Sequence, residues 1–195
     1  MIHRTALIDP TAELGADVSV GPYCVIGPRV TVGERCSIAA HAVLERNTRV
    51  SDGVKIGYGT VIGNDVIIAN AVQMAGHVTV DDRAIISGLV PIHQFVRIGI
   101  YSFVGGGSRV NQDVPPYTKA AGNPVHLYGL NSVGLQRAGF APEVKLALKR
   151  AYRLVFNSDL TVSQGVARAR GELPQVPEVE TFLRFIEASQ RGVMV

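Results

Sequence analysis

The chain of 195 residues has no tryptophan, two cysteines and only 6% aromatic residues. Bulky rings normally fill a wide globular core, so their scarcity points to a narrow core of small and β-branched aliphatics. Cys24 and Cys36 are too few for a disulfide framework, which fits a reducing cytoplasm and makes both packing residues rather than ligands or nucleophiles. No apolar run approaches a membrane span, and the opening stretch Met1–Gly15 carries Asp9 and Glu13 where a secretory leader would have an apolar core. A net charge of +3 is too small to suggest nucleic acid. What is present, 47% hydrophobic and 18% charged residues, excludes disorder and suffices for one ordinary domain with a smaller appendage.

The charge is unevenly spread. Residues 1–118 hold 9 basic and 10 acidic side chains and residues 119–195 hold 10 and 6, so the positive excess lies in the last third. An acidic partner is expected to dock there.

Stepping by six from Ile2 through Ile8, Leu14 and Val20 to Val110 meets 19 aliphatic residues without a slip. Four places after each, from Ala6 to Val114, stands another small residue, never a large or charged one. A period of six with two inward positions suits neither a helix nor a plain strand. It suits a solenoid of short parallel strands, three hexads to a triangular coil, rising roughly 4.8 Å per coil. Nineteen hexads give about six coils.

Asp113-Val-Pro-Pro-Tyr117 is expected to end the pairing, because two prolines remove ladder donors. Beyond it the pattern turns helical. Pro142 suits a first helical position and Val144, Leu148, Ala151, Tyr152 and Val155 make one apolar stripe, followed by segments over 161–172 and 177–189. The expected organisation is a β-helix domain over 1–117 and a helical domain over 118–195.

Longer motifs are more specific: Ala75-Gly-His-Val-Thr-Val-Asp-Asp82, Pro91-Ile-His-Gln-Phe95, Val104-Gly-Gly-Gly107, Gln112-Asp-Val-Pro-Pro-Tyr117 and Asn131-Ser-Val-Gly-Leu-Gln-Arg-Ala-Gly-Phe140. They resemble the UDP-N-acetylglucosamine O-acyltransferases of lipid A biosynthesis, within the hexapeptide-repeat acyltransferases. The resemblance is close over 65–195 and general over the first coils. It implies a mainly β fold, a left-handed parallel β-helix with a C-terminal α-helical domain. It also implies transfer of a (3-hydroxy)acyl chain from acyl carrier protein to a UDP-sugar, in clefts between the prisms of a cytoplasmic homotrimer. The acyl carrier protein thioester is the donor, and neither cofactor nor metal is implied. Typical members carry additional coils and a projecting loop where this chain runs from Leu44 to Ile62 in unbroken register.

That shortening bears on catalysis. Aligned without a gap, the family's His-Ile-Ala-His becomes Lys55-Ile-Gly-Tyr58, so Tyr58 stands in place of the general-base histidine. A phenol is a poor base at neutral pH. Whether Tyr58, Lys55 or His77 takes the proton stays open, and His77 reads equally as a solvent-facing corner residue. The resemblance gives the Gly76 N–H to the oxyanion, His93 and Gln94 to the nucleotide, and Asn131 and Arg137 to uridine and phosphate. Asn131 reads equally as a helix cap and Arg137 as a surface cation. Gly106 would leave backbone open to an acyl chain, or simply form a solenoid corner. His41 lies two coils below His77 in the same column, about 10 Å away, too far for a shared metal within one subunit. A zinc site like that of the related gamma-class carbonic anhydrases would need Asp82 and a neighbouring subunit. The remaining alternatives are a nucleotide-sugar or acyl carrier protein binding paralogue, and a transferase for another sugar nucleotide.

Overall fold

The computed structural model describes residues 1–194. Strands β1 (Leu7–Ile8) to β17 (Phe103–Val104) are each two residues long and begin every six residues. Every third strand pairs in parallel, Leu7 with Val25 and Val61 with Thr79, so one coil takes 18 residues. Three sheets result: a first containing β1, β4, β7, β10, β13 and β16, a second containing β2, β5, β8, β11, β14 and β17, and a third containing β3, β6, β9, β12 and β15.

The second residue of nearly every strand points inward, as do the small residues four places on. Leu44, Ile62, Ile68 and Ile86 are fully buried, and so are Cys24, Ala42, Val54 and Val72. Each large aliphatic so buried contributes about 1.5–3 kcal/mol relative to exposure. Several of the small hydroxyl and thiol groups in this narrow core find a carbonyl of the next coil: Thr48 Oγ1 donates to Gly63 O at 2.7 Å and Cys36 Sγ to Ser51 O at 3.0 Å. The free thiols are packing residues, as expected.

The corners turn through residues in the left-handed region, among them Asn47 (φ 58°), Asp65 (φ 56°) and Gly53 (φ 66°). Because they recur every coil, their side chains stand in files along the prism edges. One file is polar: Arg29 Nε donates to Asn47 Oδ1 at 2.8 Å, Asn47 Nδ2 donates to Asp65 Oδ1 at 2.8 Å, and Arg83 pairs with Asp65 at 3.5 Å.

The prolines at 115 and 116 do not end the pairing. They fall at a corner, like Pro22 and Pro28, where no ladder donor is needed. The sheet then resumes: β18 (Thr118–Ala121) pairs in parallel with β17, and β19 (His126–Leu130) adds antiparallel to β18. The change of structure expected at 117 therefore comes later, with α1 (Ser132–Arg137). Helices α2 (Pro142–Phe156), α3 (Val162–Glu172) and α4 (Pro177–Glu187) follow, with proline opening α2 and α4 and a Thr161/Gln164 capping box opening α3. They enclose a second core around Leu135, Leu148, Phe182 and Leu183.

The C-terminal strap ties the two cores together. Asp113, 1% exposed, accepts from Arg97 N through Oδ1 and from Ser189 Oγ through Oδ2, both at 2.8 Å. Its backbone bridges Val193, and Met194 closes the end of the prism core.

Candidate functional site

The corner between the third and first sheets carries Tyr23, His41, Gly59, His77 and Phe95, all left-handed with φ between 57° and 63°. Spaced one coil apart, the four side chains would form a file broken at Gly59. Tyr58, one residue earlier, fills the gap. Its ring centroid lies 5.3 Å from both His41 and His77, roughly edge-on to each. Tyr23 stacks on His41 at 5.2 Å, and Phe95 on His77 at 5.1 Å with planes 6° apart. Five rings thus run unbroken along one exposed edge. A Cβ on Gly59 would stand 2.9 Å from His77 Nδ1, so only glycine leaves that imidazole its place.

The same turns also present backbone donors. The residue just before the left-handed position directs its N–H away from the ladder, and at two places a carboxylate one coil on receives it. Glu34 N donates to Asp52 Oδ1 at 2.9 Å and Asn64 N to Asp82 Oδ1 at 2.8 Å. At Ala40 and Gly76 the residues one coil on are Tyr58 and Gln94, and neither N–H has a partner among the described residues. Gly76 therefore offers a free donor directly before His77, whose own N–H is held by Tyr58 O at 2.7 Å. A Cβ at Gly76 would approach Tyr58 O to 3.2 Å.

His93 and Gln94 stand at the same corner one coil up, both exposed, with His93 Nδ1 3.2 Å from Gln94 O. Lys55 lies on β9, exposed and paired in register with Ser37 and Gln73, without an ion-pair partner among the described residues. The other expected residues stand elsewhere in the subunit. Gly106 is at the corner between the second and third sheets, where a Cβ would come 3.4 Å from Gly88 O. Asn131 sits beside the third corner as the cap of α1: Oδ1 accepts from Gly134 N at 3.2 Å and Nδ2 donates to Tyr101 O at 3.0 Å. Arg137 ends that helix, exposed and without an ion pair among the described residues. Asp82, the acid a zinc site would need, is at a different corner from His77 and engaged by Asn64. Among the described residues no three side chains are grouped to hold a metal.

A concavity between α3 and α4, lined by Leu173, Val176 and Leu183 with Arg170 and Glu180, contains none of the expected residues. Arg170 is clamped there by Glu180 and Glu187.

Residues 11–46 match the family described as bacterial transferase hexapeptide (six repeats), and residues 113–194 match UDP N-acetylglucosamine O-acyltransferase, domain 2. A solved UDP-N-acetylglucosamine acyltransferase from Acinetobacter baumannii is 30% identical, with a TM-score of 0.65 over 100% of this chain and 99% of that one. The chain belongs to the UDP-N-acetylglucosamine O-acyltransferase family. The enzyme of this family from Bacteroides fragilis aligns with a TM-score of 0.75 and 28% identity over 100% of both chains. The expected left-handed parallel β-helix with C-terminal helices is the fold of the protein. A UDP-N-acetylglucosamine O-acyltransferase of Myxococcus xanthus is 45% identical over 116 residues, 60% of this chain and 45% of the relative. The chain thus spans about half the length of the curated relatives it matches.

Within this member of the UDP-N-acetylglucosamine O-acyltransferase family, the sequence singled out Tyr58, Gly76, His77, His93 and Gln94, and one corner gathers them. It passed over Phe95, Tyr23 and the free N–H of Ala40. The 18-residue spacing of 23, 41, 59, 77 and 95 is the signal that would have found the first two.

Proposed function

We propose that the protein transfers a (3-hydroxy)acyl chain from acyl carrier protein to a UDP-N-acetylglucosamine-type sugar nucleotide, the first step of lipid A biosynthesis. One observation carries the reading: the exposed His77 imidazole follows directly on the unpartnered Gly76 N–H. These are the two elements direct acyl transfer requires. His77 takes the proton of the acceptor hydroxyl as its oxygen attacks the thioester carbonyl, and the oxyanion rests on the Gly76 N–H. Collapse breaks the carbon–sulfur bond, and the departing thiolate receives the proton from His77. Tyr58 holds the imidazole between rings rather than serving as base, and Lys55 supplies a nearby positive charge. No cofactor enters this chemistry.

The active assembly in this reading is a homotrimer. On the first sheet Val25 and Val61 point outward beside the ring file, 39% and 41% exposed, and Tyr58 and Phe95 are 49% and 53% exposed. A neighbouring prism covers such a strip and forms the opposite wall of a cleft. It also supplies what one subunit keeps apart: Arg137 for the diphosphate, the remaining hydrogen-bonding capacity of Asn131 for uridine, and Gly106 backbone for the acyl chain. No helix among the described residues is long and apolar enough to cross a membrane. In this reading the reaction takes place in the cytoplasm.

The test is transfer from acyl carrier protein thioesters of several chain lengths to UDP-N-acetylglucosamine. If the sugar nucleotide binds, no thioester is consumed and Tyr58→His creates activity, the protein is a binding paralogue that has lost its base.

A further inference from the structure

The first sheet lies between two lettered edges of the prism. The ring file stands on one, and the polar file on the other: Arg29, Asn47, Asp65, Arg83 and Tyr101 follow the left-handed residues of the ring corner by six places each. Six residues are a third of a coil, so each polar-corner residue stands about 1.6 Å further along the prism axis than its counterpart. Arg83 is thus nearly level with His77, but at a different corner of its own subunit.

The outward faces decide how such prisms assemble. Through the lower four coils the first sheet presents only apolar residues, Leu7, Val25, Val43 and Val61, and three of them are 68%, 39% and 41% exposed. At the same levels the second sheet presents Glu13 and Arg49, and the third Ser37 and Lys55. In a closed three-fold ring of parallel prisms, the first sheet is therefore the face that gains by turning to the axis. The two edges that flank it must then meet in pairs: the ring file of one subunit faces the polar file of the next, at equal height.

An independent observation leads to the same pairing. Asn131, which the proposed function assigns to uridine, is anchored at the polar corner, where its N–H donates to Tyr117 O at 2.7 Å and its Nδ2 to Tyr101 O at 3.0 Å. Only the meeting of these two edges brings it from a neighbour to His93 and Gln94. From the polar corner the second sheet leads past Ile85 and Phe103 towards Gly106, which the same function assigns to the acyl chain.

Arg83 is built to face the cleft. Nη1 donates to the Tyr101 hydroxyl, Nε lies 3.5 Å from Asp65 Oδ2, and the guanidinium stands 5.4 Å from the centre of the Tyr101 ring. Asp65 is held in turn by Asn47. Nη2 has no partner among the described residues, and the side chain is 55% exposed. A planar donor fixed on one side and free on the other loses little freedom when it binds oxygen atoms.

We infer that the polar file of each subunit closes the cleft over the ring file of the next, and that Arg83 of the partner subunit donates to hydroxyl or acetamido oxygens of the acceptor sugar opposite His77. The sugar rests on the proposed transferase reading; the meeting of the two files does not.

Three double-cysteine variants of one coil test the meeting. Tyr23→Cys with Arg29→Cys flanks β4 of the first sheet, Arg29→Cys with Arg35→Cys flanks β5 of the second, and Arg35→Cys with His41→Cys flanks β6 of the third. A strand divides each pair within its own subunit, and Cys24 and Cys36 are buried, so covalent dimers and trimers arise only from contact between subunits. A short bis-maleimide should produce them from the first pair alone. Products from another pair, or from none, overturn the inference. Arg83→Gln should weaken UDP-N-acetylglucosamine binding about tenfold in calorimetry and leave UDP binding unchanged, because the guanidinium faces the sugar. Equal losses for both ligands, or no loss, overturn the role of Arg83. Linked trimers that show the Arg83 effect but transfer no acyl chain from any thioester sink the transferase reading and spare the inference.

Discussion

The His77 imidazole lies flat against the Phe95 ring, 5.1 Å between centroids and 6° between planes, while Tyr58 meets its other side edge-on at 5.3 Å. Phe95 covers one face of the ring and Tyr58 stands against it at a steep angle, while the side chain stays exposed. An imidazole held in this way loses little freedom when it takes up a proton, which is what a general base without a carboxylate partner needs.

His77→Ala should therefore lower kcat by roughly 10²–10⁴ with little change in sugar-nucleotide affinity. Tyr58→Phe keeps the ring and should change kcat little, whereas Tyr58→Ala should lower it. Steady-state kinetics of all three variants decide the point, and equal losses in Tyr58→Phe and His77→Ala would make the phenol hydroxyl the reacting group.

Arg137→Ala should weaken UDP-sugar binding by about 1.5–3 kcal/mol, the range for charged hydrogen bonds, with Lys restoring part of it. Titration calorimetry measures the loss. Unchanged affinity would leave Arg137 as a cation at the end of α1, where it complements the helix dipole.

Sedimentation should show a trimer at micromolar concentration. Val61→Glu, which places a charge in the outward strip beside Tyr58, should shift it towards monomer and abolish turnover while the circular dichroism of the fold persists. A stable monomer in the unaltered protein would remove the cleft between subunits.

Asp113→Ala should cost about 1–3 kcal/mol in denaturant unfolding, because two part-buried donors, Arg97 N and Ser189 Oγ, lose their acceptor. Amide exchange should rise first at Val193 and Met194, which the same residue anchors.

Burial pushes the Asp81 carboxyl above its usual range, with Asp82 adding to the rise and Arg97 opposing it. A folded pKa above the unfolded one means that the folded state binds the proton more tightly. Stability from this group is full below the unfolded carboxylate pKa and is lost as pH rises through the folded value. Asp81→Asn should raise Tm at neutral pH, and the gain should vanish on acidification towards pH 3. A gain independent of pH would assign the effect to something other than the charge.

The unbroken six-residue period from Ile2 to Val110 determined the prism, its coil length and which residues face inward, because a solenoid repeats one local rule and each coil contacts only its neighbours. The helical starts at Pro142 and Pro177 were legible for the same reason, since a cap is a local matter. The end of the sheet was not: Pro115 and Pro116 look like terminators, and only the placement of the corner turns them into one more bend before β18. The site divided in the same way. His77 and Gly76 could be named from motifs, but the move of Tyr58 into the space above Gly59 depends on side chains one and two coils away. Whether a corner N–H is free or satisfied depends likewise on the residue one coil on, Asp52 in one place and Tyr58 in another. Contacts between coils are contacts across 18 residues, and the identity of a neighbour at that distance is decided by how the chain stacks.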